Sequence, residues 1–191
     1  MRPILFVLSF VLTCLAGTAG AQNAPLAVSV PGQPPAVIRS GARAEDLSSP
    51  DALLKALYEV ISGPKSQARD WERFRNLFVP GARLIVVVRP PQGPAELRML
   101  TPDEYVERAT PVVEKTGFFE RELARREMRY GALLQAFSTY ASYRNTDDAQ
   151  PYARGINSIQ LFHDGTQWRV VTVYWDAENA DRPLPAEYLP H

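Results

Sequence analysis

The stretch Arg154-Gly-Ile-Asn-Ser-Ile-Gln-Leu-Phe-His-Asp-Gly-Thr-Gln-Trp-Arg-Val-Val-Thr-Val-Tyr-Trp-Asp176 decides the fold. Two runs rich in Ile, Val, Phe, Tyr and Trp flank Asp164-Gly165. Asp-Gly between apolar runs is a strong hairpin signal, because Gly accepts the positive φ that tight hairpin turns require. A two-residue Asp-Gly loop would pair Phe162 with Gln167. A three-residue His-Asp-Gly loop with a Gly bulge would pair Phe162 with Thr166. The one-residue difference exchanges the faces of the last strand. Both faces of that strand are apolar, so the pattern leaves the register open.

Upstream of the hairpin the chain alternates between helical and strand-like patterns. Ser49 is an N-cap candidate with Pro50 at the first helical position. Leu53, Leu57, Val60 and Ile61 then recur at helical spacing until Ser62-Gly63-Pro64 stops the helix. Asp70 caps a second, short helix with Trp71, Phe74, Leu77 and Phe78 on its buried face, and Pro80-Gly81 is expected to end it. Arg83 to Arg89, centred on Leu84-Ile-Val-Val-Val88, reads as a strand with a short partner at Glu96 to Leu100. Thr101-Pro102-Asp103-Glu104 is a capping-box signature. Its helix carries Tyr105, Val106, Ala109, Val112 and Val113. Pro111 should kink or shorten it, and Gly117 ends it. Phe118 to Tyr130 and Leu133 to Tyr143 complete the set as long antiparallel strands. Helices segregated from an antiparallel sheet mean an α+β fold.

The two ends of the chain read differently. Arg2 followed by the apolar run Ile4 to Gly17 and by Ala19-Gly20-Ala21 has the form of a cleaved signal peptide over residues 1–21. Cys14 follows Leu12-Thr13 rather than a small residue, so lipidation is not expected, and no membrane association is expected after cleavage. The mature chain would then lack cysteine, which excludes disulfides, thiol nucleophiles and Cys-based metal sites. Residues 22–48, with Pro25, Pro31, Pro34 and Pro35, read as a flexible linker. The domain is expected over 49–180, with a tail at 181–191. The expected location is periplasmic or secreted.

Hydrophobic residues make up 46% of the 191 and charged residues 22%, as in an ordinary globular protein. Basic and acidic residues balance at 21 each. That balance supplies no electrostatic footprint for nucleic acid.

The element order, Asp70-Trp71, Phe137-Ser-Thr-Tyr140, Arg154-Gly-Ile-Asn-Ser-Ile-Gln160 and the ending Asp164-Gly165, Trp168, Trp175-Asp176 resemble the nuclear transport factor 2-like superfamily. The likeness is greatest to secreted bacterial members of that group that have no assigned reaction. It covers roughly Ser49 to Asp176. It implies N-terminal helices packed against a strongly curved antiparallel sheet that forms a cone-shaped cavity. Relatives include ketosteroid isomerases, scytalone dehydratase and polyketide cyclases beside many non-enzymatic members, so the fold alone assigns no reaction.

The chemistry available to such a cavity is narrow. His163 beside the hairpin turn and His191 at the C-terminus have no ligand spacing, and no metal site, Walker motif or nucleophile elbow is present. No cofactor is expected. Histidine acid–base work is excluded for the same reason. The ketosteroid isomerases use a carboxylate base with Tyr and a protonated Asp. Tyr and Asp candidates exist here, but none aligns with those positions. Candidate pocket residues are Trp71, Tyr140, Asn157, Tyr174 and Asp176, with Trp175 as further aromatic lining. Asn157 and Gln160 point to opposite faces, so at most one meets the cavity. The charged run Glu120 to Arg129 reads as an ion-paired solvated face, with Arg121 a minor candidate for a ligand carboxylate. The expectation is an exported domain that binds a small apolar molecule without catalysis. The alternative is a cofactor-independent isomerase, dehydratase or cyclase, which would need a cavity carboxylate of raised pKa near a Tyr hydroxyl. A third reading is a structural module, a homodimer through the outer sheet face.

Overall fold

The computed structural model describes residues 43–90 and 92–190. The expected leader at 1–21, most of the expected 22–48 linker and His191 lie outside the described residues. The elements are α1 (Pro50–Ile61), α2 (Trp71–Asn76), β1 (Phe78–Val88), β2 (Glu96–Leu100), α3 (Pro102–Thr116), β3 (Phe119–Tyr130), β4 (Leu133–Tyr143), β5 (Ala153–His163) and β6 (Trp168–Ala177). Short 3-10 turns stand at Ala44–Leu47 and Ala186–Tyr188. Ordered packing therefore reaches back to Leu47, which is buried in the core.

The strands form one sheet in the order β2-β1-β6-β5-β4-β3. Neighbours are antiparallel except β1 and β6, which run parallel. Bulges interrupt the ladders at Phe78/Arg83, Glu122/Ala124 and Gln160/Leu161. An extra residue in one strand bends it and raises the local twist. These three positions curl the sheet so that one face is concave, and the sheet does not close. Helices α1 and α3 lie on the concave side. The architecture is the expected α+β arrangement.

Sequence explains most element ends. Ser49 Oγ accepts from the Ala52 N–H at 3.1 Å and Pro50 occupies N1. Thr101 and Glu104 complete the reciprocal capping box. Pro111 does not shorten α3, which runs on to Thr116. Glu107, whose carbonyl loses its partner there, lies with Pro111 on the exposed side where water can take the bond. Val112 faces solvent, so the buried face of α3 is narrower than the sequence suggests.

Two further expectations fail. Pro80-Gly81 does not close α2. The helix ends at Asn76, and the dipeptide sits inside β1 at its bulge, where a missing N–H and a φ of 81° at Gly81 are tolerated. The hairpin also adopts neither anticipated register. Phe162 pairs with Arg169 and His163 with Trp168, leaving a four-residue loop, Asp164 to Gln167. The Asp164 carboxylate accepts from the Thr166 N–H at 2.8 Å and the Gln167 N–H at 2.9 Å. These bonds satisfy a wider loop that a tight turn would have left closed.

The C-terminal end of α1 depends on Arg69. Its buried guanidinium donates to the carbonyls of Ile61, Gly63, Pro64 and Gln67. A Cβ at Gly63 would fall 2.7 Å from Arg69 Nη1, so a larger residue there would have to displace the guanidinium. Arg69→Ala is expected to cost about 2–4 kcal/mol of stability by stranding buried carbonyls. Urea denaturation would measure it, and a loss under about 0.5 kcal/mol would contradict this role.

Candidate functional site

The concave face is not filled by the helices. A cavity of about 290 Å³ remains between α1, α3 and the sheet. Strand alternation determines its wall: Tyr140 and Ser142 of β4 and Val173 and Trp175 of β6 are pairs two residues apart, each on one face. Helix α1 contributes Leu57, Tyr58 and Ile61, and α3 contributes Tyr105. Phe74 stacks on Tyr105 with centroids 5.3 Å apart, and Tyr105 meets Trp175 edge-on at 6.4 Å. The lining is mostly aliphatic and aromatic, Ser142 and Asn157 are its neutral polar members, and Glu120 is its one charged residue among those described.

Glu120 stands at the start of β3, two residues after Phe118 and on the same side. It is half-buried, and it borders both this cavity and an outer recess beside Ser62 and Arg125. Ser142 Oγ donates to Oε2 at 3.0 Å and Asn157 Nδ2 donates to Oε1 at 3.4 Å. It forms no ion pair among the described residues. Burial pushes its carboxyl up to about 7, against the opposing effect of those two donors. The group is therefore poised to hold or release a proton near neutrality.

A hydrogen-bonded chain leads away from it. Asn157 Nδ2 also donates to Tyr58 Oη at 3.1 Å, and Tyr58 Oη lies 2.6 Å from Ser138 Oγ. Ser138 spends its proton on Glu122, so Tyr58 must be the donor to Ser138. Glu122 pairs with Arg125 at 3.2 Å. Burial, then the charge of Glu120, raises the hydroxyls of Tyr58, Tyr105 and Tyr140 well above the ordinary phenol range. All three stay protonated donors. Tyr140 Oη makes no hydrogen bond among the described residues. It lies over Gly155, where a Cβ would be 2.5 Å from it and would also meet the Asp176 carbonyl, so the glycine makes room for both.

The five pocket candidates separate. Tyr140 and Asn157 line the cavity. Trp71 lies one ring behind it, edge-on to Phe74 at 5.7 Å, with its Nε1 buried and unpartnered. Tyr174 and Asp176 occupy the opposite face of β6 from Val173 and Trp175. Tyr174 is exposed, and Asp176 is held in a bidentate pair with Arg89. The pair Val173–Trp175, not Tyr174–Asp176, meets the cavity because the wide loop and the bulge opposite Gln160/Leu161 together set the parity of β6. Gln160 is exposed while Asn157 is buried, as their alternation requires. His163 packs against Trp168 at 4.8 Å. Arg121 lies over the Tyr143 ring and bonds the Thr146 carbonyl at 2.9 Å. The reading of Glu120 to Arg129 as an ion-paired surface holds for Arg125, which bridges Asp51, Glu122 and Glu127. It fails for Glu120. The signal that could have found Glu120 is its parity with Phe118. Tyr58, whose hydroxyl joins the Asn157 amide to Ser138, was hidden inside an apolar helix stripe.

No family model and no curated protein matches this chain. Solved structures match its fold. One is a protein of unknown function with a cystatin-like fold from Nostoc punctiforme (TM-score 0.51, 9% identity, 67% of this chain and 87% of that chain). Another is a nuclear transport factor 2-like protein of unknown function from Pseudomonas putida (TM-score 0.50, 12% identity, 78% and 100%). A third is a provisionally assigned scytalone dehydratase from Novosphingobium aromaticivorans (TM-score 0.50, 10% identity, 68% and 81%). At these identities the likeness is one of fold: the chain has the nuclear transport factor 2-like fold.

The Glu120 carboxyl gives the domain a pH signature. Its value rises from 4.5 to about 7 on folding, so the folded state favours the protonated form. That contribution is whole below about 4.5 and is lost as pH rises through about 7. Urea midpoints should fall between about pH 5 and pH 8. Burial raises the Glu122 carboxyl as well, so Glu120→Gln, neutral throughout, should show a smaller decline. The same decline in both proteins would exclude Glu120 as its source.

Proposed function

We propose that this domain binds a small, mostly apolar molecule in the cavity, with one polar group of the ligand meeting Glu120. The observation that carries the reading is a single charged side chain, held by Ser142 and Asn157, in a mostly apolar and aromatic wall. Ligand sites commonly have that composition: apolar lining supplies affinity and a few placed polar groups fix orientation. Tyr140, with its free hydroxyl, supplies a second directional contact. At about 290 Å³ the space suits a ligand of one or two rings. The apolar run Ile4 to Gly17 and the small residues behind it support export. The ligand is therefore sought among periplasmic or extracellular molecules.

A thermal-shift series of neutral phenols, cyclic ketones and aromatic alcohols tests this. A ligand at about one hundred times its Kd stabilises by about 2.7 kcal/mol. Tyr140→Phe and Glu120→Gln should each weaken the best ligand by about three- to tenfold, the worth of one hydrogen bond. Unchanged affinity in both variants would move binding out of this cavity.

A second reading has its own support. A carboxyl that titrates near 7 beside protonated tyrosines is the equipment for moving a proton to or from carbon. In this reading Glu120 takes a proton α to a carbonyl and a Tyr hydroxyl steadies the resulting enolate, so the domain is a cofactor-independent isomerase or dehydratase. Deuterium exchange into a bound cyclic ketone, followed by NMR, separates the readings. Catalysis predicts exchange that rises through about pH 7 and falls by about a hundredfold or more in Glu120→Gln. Exchange no faster than in buffer leaves binding alone.

A further inference from the structure

A second recess, of about 280 Å³, is walled by the end of α2, the bulge of β1 and the first residues of α3. It shares no lining residue with the cavity. Three arginines line it, Arg75, Arg83 and Arg169, against one carboxylate, Asp103. Asp103 is already engaged by Arg75 Nε at 2.5 Å. Among the described residues Arg83 bonds only the carbonyls of Gly81 and Ala82, at 2.7 and 2.9 Å. Glu104 lies outside the recess, and its carboxylate turns back onto the Thr101 N–H at 2.7 Å.

Arg169 is the informative member. Its side chain comes from β6 and is 9% exposed. It makes one hydrogen bond, from Nη1 to the Asn76 carbonyl, and no ion pair among the described residues. The contrast with Arg69 is direct. That guanidinium is equally buried but donates to four carbonyls. The Nε and Nη2 of Arg169 are not sealed off and lie open to the recess, so its guanidinium has donors free for water or an anion there. Beside it, Asn76 Nδ2 is buried without a partner. At the start of α3, Pro102 has no N–H and Thr101 takes that of Glu104, which leaves the Asp103 N–H at the positive end of the helix.

We propose that this recess binds a tetrahedral oxyanion of the phosphate class. Arg169 is its buried base, and Arg83 closes over the anion from the bulge of β1. The planar guanidinium fork matches phosphate oxygens two at a time, which suits Arg rather than Lys to this place. The anion is either free or the phosphate group of a larger molecule. The site is independent of the cavity ligand proposed above.

Calorimetric titration with inorganic phosphate, at ionic strength held constant with sodium chloride, tests the proposal. One saturable site is expected. Arg83→Gln should weaken it by about tenfold or more while circular dichroism stays unchanged. Glu120→Gln should bind phosphate as the wild type does, which separates this site from the cavity. Arg169→Met should abolish binding. Should that variant not fold, Arg83→Gln still decides. Phenyl phosphate binding more tightly than phosphate would identify the group of a larger molecule, and equal affinity would identify the free anion. The proposal is overturned if phosphate has no saturable effect beyond that of chloride, or if Arg83→Gln binds it with unchanged affinity.

Discussion

Helix α1 lies across the concave face of a sheet that three bulges have curled, and the site depends on this contact. Leu53, Leu54 and Leu57 bury themselves against the sheet and α2. Each such side chain contributes about 1.5–3 kcal/mol by leaving water. The contact fixes where the helix sits, but a straight helix cannot fill a curved surface. Space remains beneath α3, and the side chains that alternate onto the concave face become its wall. The cavity follows from the mismatch between a rod and a bent sheet.

The fold treats its buried charges in three ways. Glu122, on β3, has Arg125 beside it and a hydroxyl from Ser138. Glu120, two residues earlier on the same strand, has two neutral donors and no cation. One strand thus carries a structural carboxylate and a chemically poised one, and the Leu123 bulge marks where the strand leaves the interior for solvent. Arg69 shows the third way, a cation surrounded by backbone carbonyls that hold a loop in place. Function concentrates where partners are fewest, because an under-partnered charge shifts its protonation or attracts a ligand.

Much of the fold was readable in the chain because it is written in local chemistry. The caps at Ser49, Asp70 and Thr101, the partner strand Glu96 to Leu100 and the stop at Gly117 each depend on a few neighbouring residues. The misreadings arose where distant partners decide. Pro80-Gly81 looks like a helix stop until β6 runs alongside it and makes it a bulge. The Asp164-Gly165 turn looks tight until the Asp164 carboxylate organises a wider loop. The C-terminal tail adds a contact that its own sequence does not announce: Thr139 Oγ1 donates to the Tyr188 carbonyl at 2.6 Å on the outer sheet face.

The site divides along the same line. Sequence alone determined the α+β class, the strand that holds Tyr140 and the amide at Asn157, because periodicity and residue type belong to single segments. Tertiary structure alone decided that Val173 and Trp175 face inward and Tyr174 and Asp176 outward, since hairpin register is a property of two strands together. It alone decided that Glu120 is half-buried against the cavity while Glu127, in the same charged run, is exposed. A carboxylate's chemistry depends on the low-dielectric space around it, and that space exists only once α1, α3 and five strands have closed over it.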